Sequence, residues 1–166
     1  STLKSVPFEW PSTNTSLVYV YDKTTGVWRS QDAGQNWSLL WAQTFSSGTT
    51  GSLAMMTTDT TKLFVAKDDS LYRLDNADAG SLVVNNLSVP NPGKIVALGG
   101  TLWVNGRATS SGTADVELRK STDGSTFTVY STAFFESSSG FPFRMAAEAG
   151  YEYTACSTMG TVVTER

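Results

Sequence analysis

The sequence predicts an all-β domain assembled from a repeated four-stranded unit, and three observations carry that reading. The first is local: short runs rich in β-branched and aromatic residues recur, each closed by turn formers. They are SLVYVYD (16–22), KLFVAKD (62–68), TLWVNG (101–106) and YEYTAC (151–156). The second is the lack of a convincing amphipathic helical period. The best local helix former, RMAAEAG (144–150), is short, ends in glycine and stands where the other repeats place a strand, so it is read as a strand. The third is periodicity: Asp32, Asp78 and Asp123 stand 46 and 45 residues apart, and each is closely followed by glycine, at Gly34, Gly80 and Gly124. A four-stranded unit of about 40–45 residues is the mark of a propeller blade, which buries its two sheet faces only by stacking on neighbours.

Each unit reads as a first strand, a tight turn, the LVYV-type strand, a loop, a third strand, the Asp-Gly turn and a fourth strand. On that pattern a single domain over residues 1–166 divides into blades at 8–45, 46–90, 91–135 and 136–166, the last completed by residues 1–7. The last repeat runs FRMAAEAG, YEYTACS, GTVVTER and stops before a fourth strand. The opening STLKSVPFEWP resembles GSLVVNNLSVPNP (80–92), a fourth strand leading into the next blade. The expected architecture is therefore a small β-propeller of four four-stranded blades, with the N-terminal strand completing the last blade and removing a free sheet edge. Competing architectures are a fragment of a larger ring, or a half-ring paired with a second copy as a symmetric homo-oligomer. Trp10, Trp28, Trp41 and Trp103 fall in or beside strands and are read as packing residues.

Composition narrows the function classes. With 40% hydrophobic and 16% charged residues over 166 positions, the chain is an ordered globular unit. Its net charge of −3 and twelve scattered Lys and Arg argue against a nucleic-acid partner. No apolar run approaches the roughly 20 residues that span a bilayer, and the start lacks a signal-peptide pattern. The start is read either as a trimmed mature chain or as Ser1 exposed by removal of an initiator Met. Cys156 is the only cysteine, so it makes no intramolecular disulfide and is read as a small buried hydrophobe. There is no histidine, which removes the commonest general base, the Ser-His and Cys-His arrangements and the ordinary zinc sites. No cofactor and no metal are expected: Asp68 and Asp69 hint at a calcium turn, but two carboxylates fall short of the 6–8 oxygens that calcium takes.

The Asp turns carry the most specific pattern. Ser30, Asp32, Gly34 and Trp37 fit S-x-D-x-G-x-x-W, while Ser121, Asp123, Gly124 and Phe127 form a variant one residue shorter. The middle copy, LDNADAGSL (74–82), keeps Asp78 and Gly80 but loses the serine and the aromatic. A short carboxylate accepts N–H bonds within its own turn, glycine supplies a positive φ, and the aromatic fills space between blades, so these residues are read as structural. Arg29, Arg119 and Arg166 are read as equivalent residues bracing these turns. With these motifs the chain resembles Asp-box (BNR-type repeat) β-propeller proteins, a group that includes sialidases, xyloglucan-degrading enzymes, sortilin-like receptors and phage and secreted repeat proteins. The resemblance spans nearly the whole chain as a repeat and implies an architecture, with the Asp turn away from the functional face; it does not imply one activity.

A sialidase-like site needs three convergent arginines and a tyrosine with an acidic partner. Arg73, Arg107, Arg144, Tyr151, Tyr153, Glu148 and Glu152 are available, but the family's Arg-Ile-Pro signature is absent and PFRMA (142–146) is only an echo. Glycoside hydrolysis requires two carboxylates about 5–9.5 Å apart, for which Glu136 and Asp115 in the longest loops are the candidates. No catalytic residue is assigned. The loops NGRATSSGTAD (105–115), QTFSSGTTG (43–51) and FFESSSGFPF (134–143) are expected on one face, where hydroxyls surround aromatics; Arg107, Asp115, Phe135, Glu136, Phe141 and Phe143 are the candidate binding face. The leading expectation is a non-enzymatic binding or structural module at a virion or extracellular surface, recognising glycan or a protein partner. The alternatives are a glycoside hydrolase of sialidase or xyloglucanase type and a receptor-like propeller that binds peptides.

Overall fold

The computed structural model describes residues 8–9, 14–45, 52–56, 59–98, 100–107, 116–131, 144–148, 151–155 and 162–165. Among them there are fifteen strands and no helix, so no helix is long and apolar enough to cross a membrane. The strands form four antiparallel meanders, each pairing in chain order. Sheet 1 holds β1 (Phe8–Glu9), β2 (Val18–Asp22), β3 (Gly26–Ser30) and β4 (Ser38–Ala42). Sheet 2 holds β5 (Ser52–Met56), β6 (Asp59–Lys67), β7 (Ser70–Asp75) and β8 (Val83–Pro90). Sheet 3 holds β9 (Pro92–Leu98), β10 (Thr101–Arg107), β11 (Val116–Ser121) and β12 (Thr128–Ser131). Sheet 4 has three strands, β13 (Arg144–Glu148), β14 (Tyr151–Ala155) and β15 (Val162–Glu165). The stretch 144–148 is thus a strand, as its place in the repeat predicts. The expected completing strand at 1–7 lies outside the described residues, as do Trp10 and Cys156.

Stacking explains the composition of the strands. A half-solvated strand alternates apolar and polar side chains, whereas one covered on both faces reads as a continuous apolar run. Leu63, Phe64, Val65 and Ala66 of β6 are such a run, and all four are buried. Leu63 and Val65 join Leu53, Met55 and Leu74 against Leu17, Tyr19, Tyr21 and Val27 of sheet 1. Phe64 and Ala66 join Ala54, Met56 and Leu71 against Ile95, Leu102 and Val104 of sheet 3. The first strands line up in series, β1 beside β5, β5 beside β9 and β9 beside β13. Ser52 ties two of them, its Oγ accepting the Ile95 N–H at 3.1 Å in the buried interior.

Antiparallel pairing sorts the connections to two ends. At one, the Ala33 N–H in the β3–β4 turn donates to Ser16 O, and the Ala77 N–H in the β7–β8 turn donates to Thr61 O. At the other, Phe45 and Gln43, leaving sheet 1, donate to Lys23 O and Thr25 O in the β2–β3 turn. Asn91, between sheets 2 and 3, likewise donates to Asp69 O in the β6–β7 turn. These are called below the turn end and the loop end. Gly26 opens β3 with φ +119°, and a Cβ there would stand 2.1 Å from the Trp41 carbonyl oxygen, so only glycine lets β4 approach this closely.

Candidate functional site

At the turn end, serine and aspartate build a closed hydrogen-bond ring. The buried Ser30 hydroxyl donates to Asp32 Oδ1 at 2.8 Å and accepts the Gly34 N–H at 2.8 Å. Asp32 also accepts the Asn36 N–H at 2.8 Å and its side-chain amide at 2.6 Å. The Asn36 N–H, then the Asn36 amide and the Ser30 hydroxyl, hold the Asp32 carboxyl down to about 2. Sheet 3 repeats the ring: Ser121 donates to Asp123 at 2.9 Å, Gly124 donates to Ser121 at 3.0 Å, and the Ser125 and Thr126 N–H groups reach Asp123 at 2.8 Å. Those two amides and the serine drive the Asp123 carboxyl well below the usual range. The aromatics differ. Phe127 packs into the layer between sheets 2 and 3, whereas Trp37 is exposed and folds over its own turn, its Nε1 donating to Gly34 O at 3.0 Å.

Register corrects the middle copy. Val18 stands opposite Ser30, Leu63 opposite Leu74 and Leu102 opposite Ser121, so Leu74 holds the serine position. The aspartate position two residues on falls to Asn76, with φ +56°, whose amide donates to Ser81 O at 3.2 Å. Asp78 lies two residues further along and offers its backbone oxygen to Gln31 Nε2 at 3.1 Å. Gly80 is open, with nothing within 4 Å of an added Cβ. The 46-residue spacing from Asp32 to Asp78 is thus a near miss of the structural repeat.

The same register corrects the arginines. Arg29 and Arg73 share one position, just before Ser30 and Leu74, and each reaches the turn of the next sheet. Arg29 Nη1 donates to Ala77 O at 2.9 Å and to Ala79 O at 2.6 Å. Arg73 Nη1 donates to Gly124 O at 3.0 Å and to Ser125 Oγ at 2.5 Å, while its Nε pairs with Asp75 at 2.7 Å. Arg119 sits one residue earlier, and since adjacent strand residues point to opposite faces it reaches back to Pro90 O at 3.0 Å and pairs with Glu117. Lys120 holds the Arg29 position in sheet 3, its Nζ 4.8 Å from the Tyr130 ring centroid and 5.8 Å from that of Trp103. Arg119 is therefore not the equivalent of Arg29, and Arg166 lies outside the described residues.

The loop end of the junction between sheets 1 and 2 gathers aromatics. Tyr21 and Phe45 lie with ring centroids 3.9 Å apart, and Trp41 stands 5.1 Å from Tyr72 and 6.4 Å from Phe45. Lys67 Nζ sits 5.3 Å from the Phe45 centroid and pairs at 2.7 Å with Asp68, which turns with φ +51°. Among the described residues the buried Tyr21 hydroxyl has no hydrogen-bond partner. Burial first, then the Asp68 and Asp22 carboxylates, push it up to about 12, so it is a neutral donor at physiological pH. Half-buried aromatic faces beside a lysine, a carboxylate and a phenol suit recognition of a ligand with apolar and polar parts. Sequence reasoning missed this group because its members come from four strands and a linker, and each alone reads as strand packing.

Of the predicted binding face, Arg107 closes β10 opposite Val116, which places its backbone at the loop end. Asp115, Phe135, Glu136, Phe141 and Phe143 lie outside the described residues. Glu148 and Tyr151 face each other across the β13–β14 hairpin, at the turn end, so the backbone puts them at the opposite end from Arg107. Among the described residues no group of three or more His, Cys, Asp or Glu is placed to hold a metal ion.

No family model matches this chain, and no curated protein matches it in sequence. Among solved structures it is similar to a chain of the nidogen/laminin complex, with a TM-score of 0.57 and 12% identity, covering 90% of this chain and 71% of that one. It is also similar to YCF48 from Cyanidioschyzon merolae, with a TM-score of 0.52 and 10% identity over 96% of this chain and 55% of that one. YCF48 bound to D1 peptide gives a TM-score of 0.52 and 12% identity over 100% of this chain and 55% of that one. These neighbours are β-propeller proteins, and the likeness supports a propeller fold here. The chain spans about half the length of the YCF48 chains.

Proposed function

We propose that this chain is a non-enzymatic recognition module of the Asp-box propeller type, acting at a virion or extracellular surface, which engages a protein partner at the loop end. The observation that carries the reading is the cluster of Tyr21, Trp41, Phe45 and Tyr72 beside Lys67 and Asp68, at the end of the sheets free of the Asp turns. The neighbouring structures support a protein partner, since one is a nidogen/laminin complex and another is YCF48 bound to D1 peptide. The Asp32 and Asp123 carboxylates are held by bonds from their own turns, the state of a fixed acceptor, which supports the structural reading of the Asp turns and leaves the loop end as the place for recognition.

Glycan is the second reading, favoured by the half-buried Trp41 and Tyr72 rings, 5.1 Å apart, at the same end of the sheets as the Lys67–Asp68 ion pair, since rings suit the apolar face of a sugar and charged groups its hydroxyls. Selection from a random peptide display library and a glycan array, run with the parent protein and Lys67→Met, separate the two. A selected peptide whose Kd rises at least tenfold in a Lys67→Met protein of unchanged melting temperature supports the protein reading. Glycan binding lost in that variant supports the second, and ligands indifferent to Lys67 sink this site.

A further inference from the structure

Arg29 and Arg73 hold one register position, so the residues around them can be compared one by one. Tyr19 stands opposite Arg29 and Phe64 opposite Arg73, each pair on one face of its sheet. Two residues beyond the arginine, sheet 2 has Asp75 and sheet 1 has Gln31. In sheet 2 the Asp75 carboxylate takes one edge of the guanidinium, accepting from Arg73 Nε at 2.7 Å and from Nη2 at 3.0 Å. In sheet 1 the Gln31 amide is turned instead to Asp78 O at 3.1 Å, and among the described residues the buried Arg29 Nε has no partner. The facing aromatic changes in step. Phe64 has no polar hydrogen, whereas Tyr19, 0% exposed, carries a hydroxyl that is also buried with no partner among the described residues. Relative to sheet 2, sheet 1 therefore lacks a carboxylate and has an extra donor at the same place.

We propose that a monovalent anion, chloride, binds at the turn end of the junction between sheets 1 and 2, accepting the Arg29 Nε–H and the Tyr19 O–H where sheet 2 uses Asp75. Both groups can donate, and a buried donor left bare is costly. Water suits the place less well: it accepts both hydrogens but brings two of its own, and the buried side chains clustered with Tyr19 include the apolar Leu17, Val27, Leu74 and Ala77. The charge fits too. Arg29 Nη1 bonds the neutral carbonyl oxygens of Ala77 and Ala79, and among the described residues no ion pair reaches this guanidinium, whereas Arg73 and Arg119 each have a carboxylate. Asp78, whose charge acts on the Tyr19 phenol, limits the site to a single negative charge. The site lies at the opposite end of the sheets from Trp41 and Phe45 and stands independently of the recognition cluster proposed above.

The test is thermal unfolding of the full chain as chloride replaces gluconate at constant ionic strength, with Tyr19→Phe and Gln31→Asp beside the parent. A site of about 10 mM affinity raises the parent's melting temperature by about 4–8 °C between trace and about 300 mM chloride. Tyr19→Phe deletes one of the two donors and should weaken chloride by about tenfold or more. Gln31→Asp supplies the carboxylate that Asp75 supplies in sheet 2, so it should melt above the parent in gluconate and no longer respond to chloride. Crystals grown in bromide should show an anomalous peak within hydrogen-bond reach of Tyr19 Oη and Arg29 Nε in the parent and none there in Gln31→Asp. A parent indifferent to chloride, an equal response in all three proteins, or an ordered water in place of bromide would overturn the proposal.

Discussion

Replacing Arg29 with methionine keeps most of the aliphatic stem and deletes two bonds to the turn of sheet 2. A hydrogen bond with one charged partner contributes about 1.5–3 kcal/mol. The two acceptors differ: Ala79 is exposed and water can take over its carbonyl, whereas Ala77 is 0% exposed and its oxygen would be left bare. Against this, Arg29 Nε is itself buried without a partner among the described residues, and removing it relieves a cost of about 1 kcal/mol. The net expectation is a loss of about 2 kcal/mol, which for a chain of this length lowers the melting temperature by about 4–8 °C. Denaturant titration and calorimetry on Arg29→Met, Arg73→Met and Lys120→Met provide the comparison. Arg73→Met should cost at least as much, because it also strips Asp75 of its guanidinium. Lys120→Met, at the same register position and with no bond to a neighbouring turn among the described residues, should cost under about 1 kcal/mol, the scale of an exposed cation–π contact. A change under about 0.5 kcal/mol in Arg29→Met, the noise of ordinary surface substitutions, would refute the reasoning, as would equal losses at Arg29 and Lys120.

Gly26→Ala should cost more than about 3 kcal/mol, since its Cβ would stand 2.1 Å from a backbone oxygen at φ +119°; Gly80→Ala, in open space, should melt within a degree or two of the parent. The depressed Asp32 and Asp123 carboxyls contribute stability that is fully present above the unfolded pKa near 4 and is lost as pH falls toward 2. Chemical unfolding at stepped acidic pH should show that loss, and Asp32→Asn with Asp123→Asn should flatten it; an equally steep limb in the double variant would remove the turns from the account. The raised Tyr21 phenol should titrate only around 12 in an alkaline absorbance titration, and Tyr21→Phe should remove one tyrosine from the late absorbance change while Tyr19, raised further by burial, keeps its own.

Strands and stacking were legible in the sequence because each leaves a local trace. The LFVA run of β6 announces a strand covered on both faces, and the place of RMAAE in the repeat outweighs its helical composition. Register was less legible, because a carboxylate letter is a poor marker of position. Asn76 takes the aspartate place by accepting a positive φ, while Asp78 drew attention only by being an aspartate. Arg29 and Arg119 look alike beside their serines, but one residue of offset sends them to opposite faces and to different sheets. The loop-end aromatics were invisible for a different reason: Tyr21, Trp41, Phe45, Lys67 and Tyr72 meet only when two meanders stack, and no local spacing encodes that meeting.

The arginine staples address main-chain oxygens, at Ala77 and Ala79 from Arg29 and at Gly124 from Arg73, to which Arg73 adds the Ser125 hydroxyl. The main-chain part of that grip is blind to side-chain identity in the turn it holds. A Leu-x-Asn turn can be clasped by a guanidinium as a Ser-x-Asp turn is: Arg29 holds the first kind and Arg73 the second. The lettering of a repeat can therefore drift while the docking of its sheets persists, provided the donor stays in place and the turn keeps its curvature.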